Sequence, residues 1–527
     1  METCHSLDTT QDVWNLLETI CRKGAEVWLE NGRVHYKAPR HALDSQDVRD
    51  LQASKGQIAA LLQSAAAGGS AGSKVSAAPG TRIAPLAFSQ LAHWNLHQLG
   101  DRRSVRGVAT AVRLKGFIDI AVLQKSLRNV VRRHSALRTR IGVSNGHPFQ
   151  QIISSDEIEI PVFDLSALQP DALESEEKRL IRACLFARID VTRDPLFAAA
   201  ILHAGPQDHV LMLGMEHIIS DGVSLNILLR DIFGSYVQGI TTGDISAPEP
   251  VMQFAEYAAN QRGAHARWLQ EHGAYWDEHL RGCRHVPFPG TRRSGSVVPQ
   301  GLALLQLRID RDLTSQLRRW CRLNKTTLVM CMFAAYIAFI LRRCRVSEAV
   351  FLYQSDGRFD PREREAIGYF AVRLCLRVGL QPADTLANLI GRVTDEYCNS
   401  YENMDFSYLD TPTPRPQYMR NTCFNWATRD ADHFAIETPT GRVSISDVPF
   451  EHRVVEGVQT DAEPVLGLYE AGDEIHGQVQ FQLSQFSFEA VEEVWQDFMA
   501  FVECLLERPD VPLVSVPIFA ETVAAGE

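Results

Sequence analysis

The residues best suited to chemistry are a histidine and, four positions further on, an aspartate–glycine pair. The run 215–224 reads Met-Glu-His-Ile-Ile-Ser-Asp-Gly-Val-Ser, so His217 is followed by Asp221 and Gly222. Imidazole exchanges a proton near neutral pH, and His217 can therefore act as a general base. No Ser, Cys or Thr with a recognisable nucleophile signature accompanies it. This pattern favours a base that activates the amine or hydroxyl of a substrate.

A strand, a turn and a helix must position these residues. The apolar run 210–215 predicts a buried strand, and the helical spacing of apolar residues in 223–233 predicts a helix. His217 would then follow the strand end, and Asp221 would lie where a helix begins. Because aspartate commonly caps helices, a core histidine with a capping Asp221 is the alternative interpretation of the spacing.

The composition limits the class of function. The chain has 527 residues and a net charge of −11, which excludes a general nucleic-acid binder because such a protein needs a basic face. It is long enough for two or three folding units. The first residues are polar and lack the features of a secretory signal. The 11 Cys are scattered without a Cys-x-x-Cys pair, which indicates reduced thiols in the cytoplasm and neither a zinc site nor a disulfide framework.

The longest apolar run covers 328–341 and is shorter than the roughly 20 residues needed to span a bilayer. Thr326 or Thr327 can cap this run, and Arg342 and Arg343 can end it. The run therefore predicts a buried helix of a large core, and we expect no membrane partner.

A flexible linker separates a small N-terminal unit from the rest of the chain. Residues 64–79 are mostly Ser, Ala and Gly, which is typical of a linker. Before it, the spacing predicts a helix over 13–22 and a second helix over 45–63, capped by Ser45. Between them, Asn-Gly at 31–32 predicts the turn of a β-hairpin over 27–36.

The run around His217 resembles the His-His-x-x-x-Asp-Gly motif of the condensation domains of nonribosomal peptide synthetases. Other runs resemble further motifs of this family in the expected order, and the resemblance covers about 84–520. Residues 85–94, Pro-Leu-Ala-Phe-Ser-Gln-Leu-Ala-His-Trp, resemble the pattern Ser-x-Ala-Gln-x-Arg-Leu-Trp; the others are 133–140, 254–258, 357–358 and 367–370. His134, in the second of these runs, occupies a structural position in the family.

The resemblance implies an α/β fold with two lobes similar to chloramphenicol acetyltransferase, arranged in a V shape. It implies that His217 accepts or aligns the proton of the attacking group, and that Gly222 lets the backbone approach the thioester and helps to hold the oxyanion. It also implies a structural salt bridge between Asp221 and Arg358, an arginine from the other lobe. Glu216 replaces the first His of the motif. It either pairs locally or meets a polar or cationic acceptor.

The N-terminal unit resembles the β-hairpin docking domains named after the tubulysin assembly line. Such domains bind a short linear segment at the C-terminus of an upstream protein, partly by strand addition. The match includes Trp28, and Arg33, Lys37 and Arg40 are candidates for meeting acidic residues of that segment. Solvated surface charge is the alternative for each of the three.

These resemblances predict a docking domain over 1–64, a linker over 65–83, an N-terminal lobe over 84–258 and a C-terminal lobe over 259–527. No adenylation domain and no carrier domain is recognised, so we expect a freestanding condensation enzyme, similar to chain-releasing enzymes such as that of the enacyloxin pathway. We expect no metal and no cofactor of its own.

The substrate side of this expectation also comes from the resemblance. The acyl donor would be a phosphopantetheine thioester on a partner carrier protein, and the acceptor an amine or alcohol, free or carrier-bound. The alternatives are an epimerase of the same fold and a catalytically silent recruitment domain. A cyclisation enzyme is disfavoured because its two-Asp motif is absent.

Overall fold

The structure is a computed structural model of the 527-residue chain. It describes residues 16, 20, 25–30, 33–38, 43–59, 82–99, 103–104, 107–144, 147–185, 188–245, 252–290, 301–404, 421–427, 433–448, 454–455 and 463–518. Most of the predicted first helix, residues 65–81 of the predicted linker, and Arg40 lie outside these ranges. Arg82 and Ile83, which we assigned to the end of the linker, begin a strand.

The described strands and helices follow one another in a mixed α/β order. The strands are β1 Glu26–Glu30, β2 Arg33–Lys37, β3 Arg82–Pro85, β4 Arg103–Ser104, β5 Val108–Lys115, β6 Thr139–Ser144, β7 His147–Ile152, β8 Val162–Asp164, β9 Ile189–Asp190, β10 Phe197–Gly205, β11 Asp208–Met215, β12 Leu302–Ile309, β13 Glu348–Ser355, β14 Val372–Gly379, β15 Cys423–Trp426, β16 His433–Thr438, β17 Gly441–Asp447, β18 Val454–Val455, β19 Val465–Ala471 and β20 Glu474–Gln482. The α-helices are α1 Ser45–Ala53, α2 Phe88–Leu99, α3 Ile120–Arg133, α4 Pro170–Leu185, α5 Gly222–Thr242, α6 Phe254–His279, α7 Arg311–Leu323, α8 Leu328–Arg343, α9 Leu386–Glu402 and α10 Phe488–Glu507. Short 3₁₀ turns cover Ser135–Arg138, Ser155–Glu157, His217–Ile219, Pro361–Glu365 and Leu513–Ser515.

The chain forms two compact units that interleave in sequence. The first unit contains Met1–Arg267, Gly357–Phe370 and Asp432–Phe450, and the second contains Trp268–Asp356, Ala371–Ala431 and Glu451–Glu527. Arg358 therefore belongs to the same compact unit as His217 and Asp221. The lobe boundary at 258/259 stays a prediction.

The first unit contains a five-stranded antiparallel sheet that includes the N-terminal hairpin. Its order is β2-β1-β3-β7-β6, so the hairpin β1–β2 joins the sheet through β3. The hairpin predicted from Asn-Gly is confirmed, with Glu26 opposite Lys37 and Glu30 opposite Arg33. The predicted cap of α1 is wrong by one residue: Asp44, not Ser45, accepts the free amides of Gln46 and Asp47, and the Asp44 amide donates to the Asp47 carboxylate.

The second sheet of the first unit carries the site. Its order is β16-β17-β5-β11-β10-β8, which places β11 between β5 and β10 in the interior of the sheet. The predicted strand 210–215 is confirmed as part of β11, and its residues are buried. A strand covered on both faces is uniformly apolar, and this is why β11 lacks alternation.

The second unit packs helices against a seven-stranded sheet of order β14-β13-β15-β19-β20-β12-β18. Its centre is α8, whose residues 331–341 are all buried. The predicted start and end of this helix are confirmed, because Thr327 accepts the amide of Met330 and two arginines occupy the last turn. Among the described residues, no individual helix has the length and apolarity to cross a membrane, although the sharply bent pair α7–α8 meets those criteria jointly.

Candidate active site

The turn after β11 holds His217 between two capping carboxylates. The amide of Glu216 donates to the carbonyl of Leu196 at 2.8 Å and so ends the strand. The Glu216 side chain then caps the short turn His217–Ile219 by accepting the amide of Ile218. Asp221 caps the next helix, α5, by accepting the amide of Ser224 at 2.8 Å. The local sequence thus makes two successive helical starts, with His217 on the first.

One ring nitrogen of His217 makes a hydrogen bond to the backbone. Its Nδ1 lies 3.2 Å from the carbonyl oxygen of Ser220. A carbonyl oxygen only accepts, so Nδ1 carries the proton in this contact and Nε2 of the neutral ring is left as an acceptor. The ring lies 5.6 Å from the ring of Tyr369 and 6.1 Å from that of His93, centroid to centroid. A Cβ at Gly107 would come within 3.2 Å of its Cδ2, so the glycine leaves room beside the ring.

The surroundings of His217 favour the neutral imidazole. Burial lowers its pKa, and the charge of nearby His93 lowers it further. The carboxylates of Glu216 and Asp221 and the bond to Ser220 oppose this shift without reversing it. A neutral ring with a free Nε2 is the state that a general base requires.

Asp221 is held by structural donors on both oxygens. Arg358 donates from Nη1 to Oδ2 at 2.7 Å and from Nη2 to Oδ1 at 3.0 Å, a bidentate contact between buried side chains. The amide of Phe370 donates to Oδ2 at 3.1 Å, and the guanidinium lies 4.4 Å from the centre of the Phe370 ring. Ser224 adds its amide and its hydroxyl, each 2.8 Å from Oδ1. This carboxylate therefore ties the start of α5 to 357–370.

Glu216 is 1% exposed and pairs with groups of the protein. His93 Nε2 lies 3.1 Å from its Oε1, and His97 Nε2 lies 3.3 Å from the same atom. Burial raises the pKa of the carboxyl, but the two imidazoles outweigh burial and hold this pKa well below its usual range. These contacts favour local pairing over the acceptor-binding interpretation, which stays a prediction.

Gly222 begins α5 and is exposed, and a Cβ built there would meet no described atom within 4 Å. The described residues therefore leave space beside this glycine, and its oxyanion role stays a prediction. Sequence reasoning missed His93, His97, Gly107 and Tyr369 as parts of this site. The one available signal was the spacing of His93 and His97, because residues four apart share a face of a helix.

Two of the residues predicted to bind an upstream segment, Arg33 and Lys37, lie on β2. Among the described residues, β2 pairs only with β1 and is the end strand of its sheet. Arg33 and Lys37 are exposed, and Lys37 Nζ lies 3.1 Å from Glu256 Oε1. Trp28 is opposite His35 in the hairpin, and its side chain lies outside the described residues.

Two family profiles match the chain. The condensation domain family matches residues 81–524, and the TubC N-terminal docking domain matches residues 13–64. Among curated proteins, one of the proteins that make up the linear gramicidin synthase of Brevibacillus parabrevis is 25% identical over 447 residues. The alignment covers 83% of this chain but 9% of that protein. The chain thus spans about a tenth of the length of this relative.

Solved structures share the fold. The SgcC5 protein from Streptomyces globisporus superposes with a TM-score of 0.67 at 22% identity, covering 81% of this chain and 100% of that chain. The X-domain in complex with OxyB from teicoplanin biosynthesis gives a TM-score of 0.68 at 19% identity, covering 85% of this chain and 99% of that chain. At such identities the likeness establishes the fold alone. The profile match over most of the chain establishes the family: the protein belongs to the condensation domain family, whose members catalyse amide and ester bond formation in nonribosomal peptide synthetases, and it carries a TubC-type docking domain at its N-terminus.

Proposed function

We propose that this protein transfers an acyl chain from a carrier-bound phosphopantetheine thioester to an amine or hydroxyl acceptor, in the cytoplasm. The observation that carries the proposal is the geometry of His217. Its Nδ1 donates to the carbonyl of Ser220, and its Nε2 is left to accept a proton. Family membership supplies the reaction class, and the turn supplies a base in the required state.

In the proposed step, the acceptor nitrogen or oxygen attacks the thioester carbonyl carbon. The new C–N or C–O bond forms, and Nε2 of His217 takes the proton of the attacking group. The tetrahedral intermediate then collapses, and the C–S bond breaks. The proton then passes to the departing thiolate, which leaves as the thiol of the arm. Base catalysis contributes about 10²–10⁴-fold, and alignment of the two reactants can contribute more. Asp221 and Arg358 position the turn and take no proton.

The docking domain supports delivery of the donor by a separate protein. Among the described residues β2 is the end strand of its sheet, which is the position at which strand addition occurs, and Arg33 and Lys37 lie on this strand. We propose that the C-terminal segment of an upstream synthase binds there, with acidic residues facing the two cations. Lys37 would then exchange Glu256 for a carboxylate of the partner.

The central test is intact-mass analysis of an acylated carrier protein mixed with this protein and a panel of amines and alcohols. We expect loss of the acyl group from the carrier only when an acceptor is present, with the coupled product in the same mixture. His217→Ala should reduce the rate by about 10²–10⁴-fold. His476→Ala, which removes an imidazole paired with Glu474 in the second unit, is the matched control and should leave the rate unchanged. Transfer at the normal rate by His217→Ala would refute the proposed base.

The acceptor panel also tests chain release. Coupling to a free small molecule detaches the acyl chain from the carrier, whereas coupling to a second carrier only moves it. Product in solution with free acceptors alone would support a releasing enzyme, similar to that of the enacyloxin pathway. Product only on a second carrier would support chain elongation instead.

Two alternatives predict different results in the same assay. An epimerase would exchange the α-hydrogen of an aminoacyl carrier without acceptor, and in D₂O the carrier would gain one deuterium. A recruitment domain would bind a partner without any transfer, in the way that the X-domain of teicoplanin biosynthesis is found in complex with OxyB. The retained His217, Asp221 and Gly222 argue against the recruitment domain, and the N-terminal docking domain favours the condensation enzyme over the epimerase.

A further inference from the structure

A cluster of three ligand-type side chains lies beside the proposed base and has no part in the mechanism above. His93 and His97 are one turn apart on α2, and Glu216 comes from the turn after β11. Their ligand atoms all lie within 4.8 Å of one another. All three residues belong to the first unit.

The spacing of these atoms matches the coordination sphere of a small transition metal. Zinc binds imidazole nitrogen and carboxylate oxygen at about 2.0–2.2 Å, so neighbouring ligands of a tetrahedral site are about 3.3–3.6 Å apart. His93 Nε2 lies 3.1 Å from Glu216 Oε1, and His97 Nε2 lies 3.3 Å from it. Both distances lie within a few tenths of an ångström of the tetrahedral values, and the two imidazole nitrogens lie within 4.8 Å of each other.

His97 supplies an independent indication of a missing ligand. Its side chain is 10% exposed, and its Nε2 is buried and, at 3.3 Å from Glu216 Oε1, makes no hydrogen bond of good geometry with a described residue. A buried polar atom without a partner is costly, and a bound cation would satisfy it. His93 is 21% exposed, so the cluster is not fully closed off from solvent.

The second oxygen of Glu216 is already oriented. It accepts the amide of Ile218, so the carboxylate presents its Oε1 to the two imidazoles. Hydrogen bonds of this kind fix ligands in metal sites. His93 and Glu216 also depart together from the family motifs quoted above, since His93 stands where the pattern has Leu and Glu216 where it has His.

We propose that His93, His97 and Glu216 bind one divalent transition metal ion of the zinc class. Two imidazoles and one carboxylate suit zinc, cobalt, nickel or copper, and they are poor partners for magnesium or calcium, which prefer oxygen ligands. The fourth position is left for water. The ion would join α2 to the turn that carries His217 and would stabilise the folded state, since only the folded chain brings the three ligands together.

The test uses the full chain after dialysis against a chelator. Isothermal titration with zinc chloride should give one ion per chain, and metal analysis after desalting should give the same ratio. Thermal unfolding should show a higher Tm with zinc and no change with magnesium. Cobalt should give the visible absorption of a tetrahedral site, which reports the coordination directly. None of these readouts depends on acyl transfer, so the metal site and the proposed function succeed or fail separately.

The variants separate this site from surface histidines. Loss of a side chain that only hydrogen-bonds a metal ligand typically weakens metal binding by about 10–100-fold. Loss of a ligand itself should weaken it at least as much, so we expect His97→Ala and Glu216→Gln each to weaken zinc binding about 100-fold or more. Glu216→Gln keeps the size of the side chain and so guards against loss of the fold. His476→Ala removes an imidazole paired with one carboxylate outside the cluster and should bind zinc as the wild type does.

Two results would overturn the proposal. One is the absence of zinc binding to the folded wild-type chain. The other is binding of equal affinity in Glu216→Gln and the wild type. Either result would assign the cluster to hydrogen bonding alone.

Discussion

Two buried carboxylates lie on either side of His217, and their partners differ in kind. Asp221 faces the guanidinium of Arg358, which stays charged at any pH at which proteins fold. Glu216 faces the imidazoles of His93 and His97, which can be charged, neutral or bound to a metal. Both carboxylates cap a helical start, yet one contact is fixed and the other is adjustable.

This difference assigns different tasks to neighbouring residues. The fixed pair holds the start of α5 against 357–370, and so keeps the His217 turn in place under all conditions. The adjustable cluster contacts the beginning of the same turn through Glu216 and, as proposed above, binds a metal ion. Buried ion pairs contribute little net stability when intact, but they are costly to break, and this asymmetry makes the comparison testable.

The largest expected effect is the loss of Arg358. Arg358→Ala leaves the charge of Asp221 buried without its main partner, and we expect a loss of about 3–5 kcal/mol of unfolding free energy. In metal-free protein, His93→Ala should cost about 1–2 kcal/mol, because Glu216 keeps the amide of Ile218. Urea unfolding followed by tryptophan fluorescence measures both.

Arg362→Ala is the matched control for this pair of variants. Arg362 is 54% exposed and pairs with Asp360, and an exposed pair is worth at most about 1 kcal/mol. If Arg358→Ala cost no more than His93→Ala, the distinction between a fixed and an adjustable contact would be wrong.

The second prediction concerns Ser224, which completes the fixed pair. Its buried hydroxyl lies 2.8 Å from Asp221 Oδ1, 2.9 Å from the carbonyl of Gly368 and 3.1 Å from the Gly368 amide. Ser224→Ala removes these three buried contacts, although Asp221 Oδ1 keeps the Ser224 amide and Arg358, and we expect a loss of about 1–3 kcal/mol in the same unfolding experiment. A neutral effect would mean that Arg358 and the amides of Ser224 and Phe370 hold Asp221 without help from the hydroxyl.

The contrast also separates what the sequence could predict from what it could not. The strand 210–215 and the helix 328–341 were predicted correctly because each is a long apolar run with a definite boundary. The cap of α1 was assigned to Ser45 although Asp44 holds it, since both side chains can cap and only the backbone angles decide between them. Local rules therefore give elements more reliably than their ends.

The site divides in the same way. His217 could be named because the motif is continuous in sequence. The cluster around Glu216 could not, because 123 positions separate it from His93, and only the packing of α2 beside β11 and its turn brings the two together. The absence of Cys-x-x-Cys led us to expect no metal, but His and Glu ligands from two distant segments leave no such local signature.

The third prediction uses another imidazole–carboxylate pair, in which the histidine titrates. His134 Nε2 lies 2.7 Å from Asp231 Oδ2, with Arg133 and Arg230 beside the carboxylate. Burial lowers the pKa of His134 despite Asp231. The unfolded chain then binds more protons than the folded chain below about pH 6.5, and stability falls as the pH drops through that value.

His134→Gln should remove this part of the pH dependence. Binding of one proton changes the slope of unfolding free energy against pH by at most about 1.4 kcal/mol per pH unit. Between about pH 7 and pH 5, this slope should therefore be smaller in the variant than in the wild type, by up to that value. Unfolding curves in urea at several pH values measure it. A wild-type slope retained in the variant would show that other groups cause the pH dependence.

The smallest expected effect concerns an ion pair at the surface of the same unit. Lys37 is 60% exposed and lies 3.1 Å from Glu256, so water and salt screen this ion pair. The buried pair Asp221–Arg358 is not screened in this way. We expect Lys37→Ala to change the unfolding free energy by at most about 1 kcal/mol at low salt and to have no measurable effect near 1 M salt. Lys115→Ala, a second exposed lysine 2.6 Å from Asp208, should behave alike. A loss above about 2 kcal/mol for Lys37→Ala alone would mean that Lys37 anchors the docking hairpin to α6, and it would not then be free to exchange Glu256 for an upstream partner.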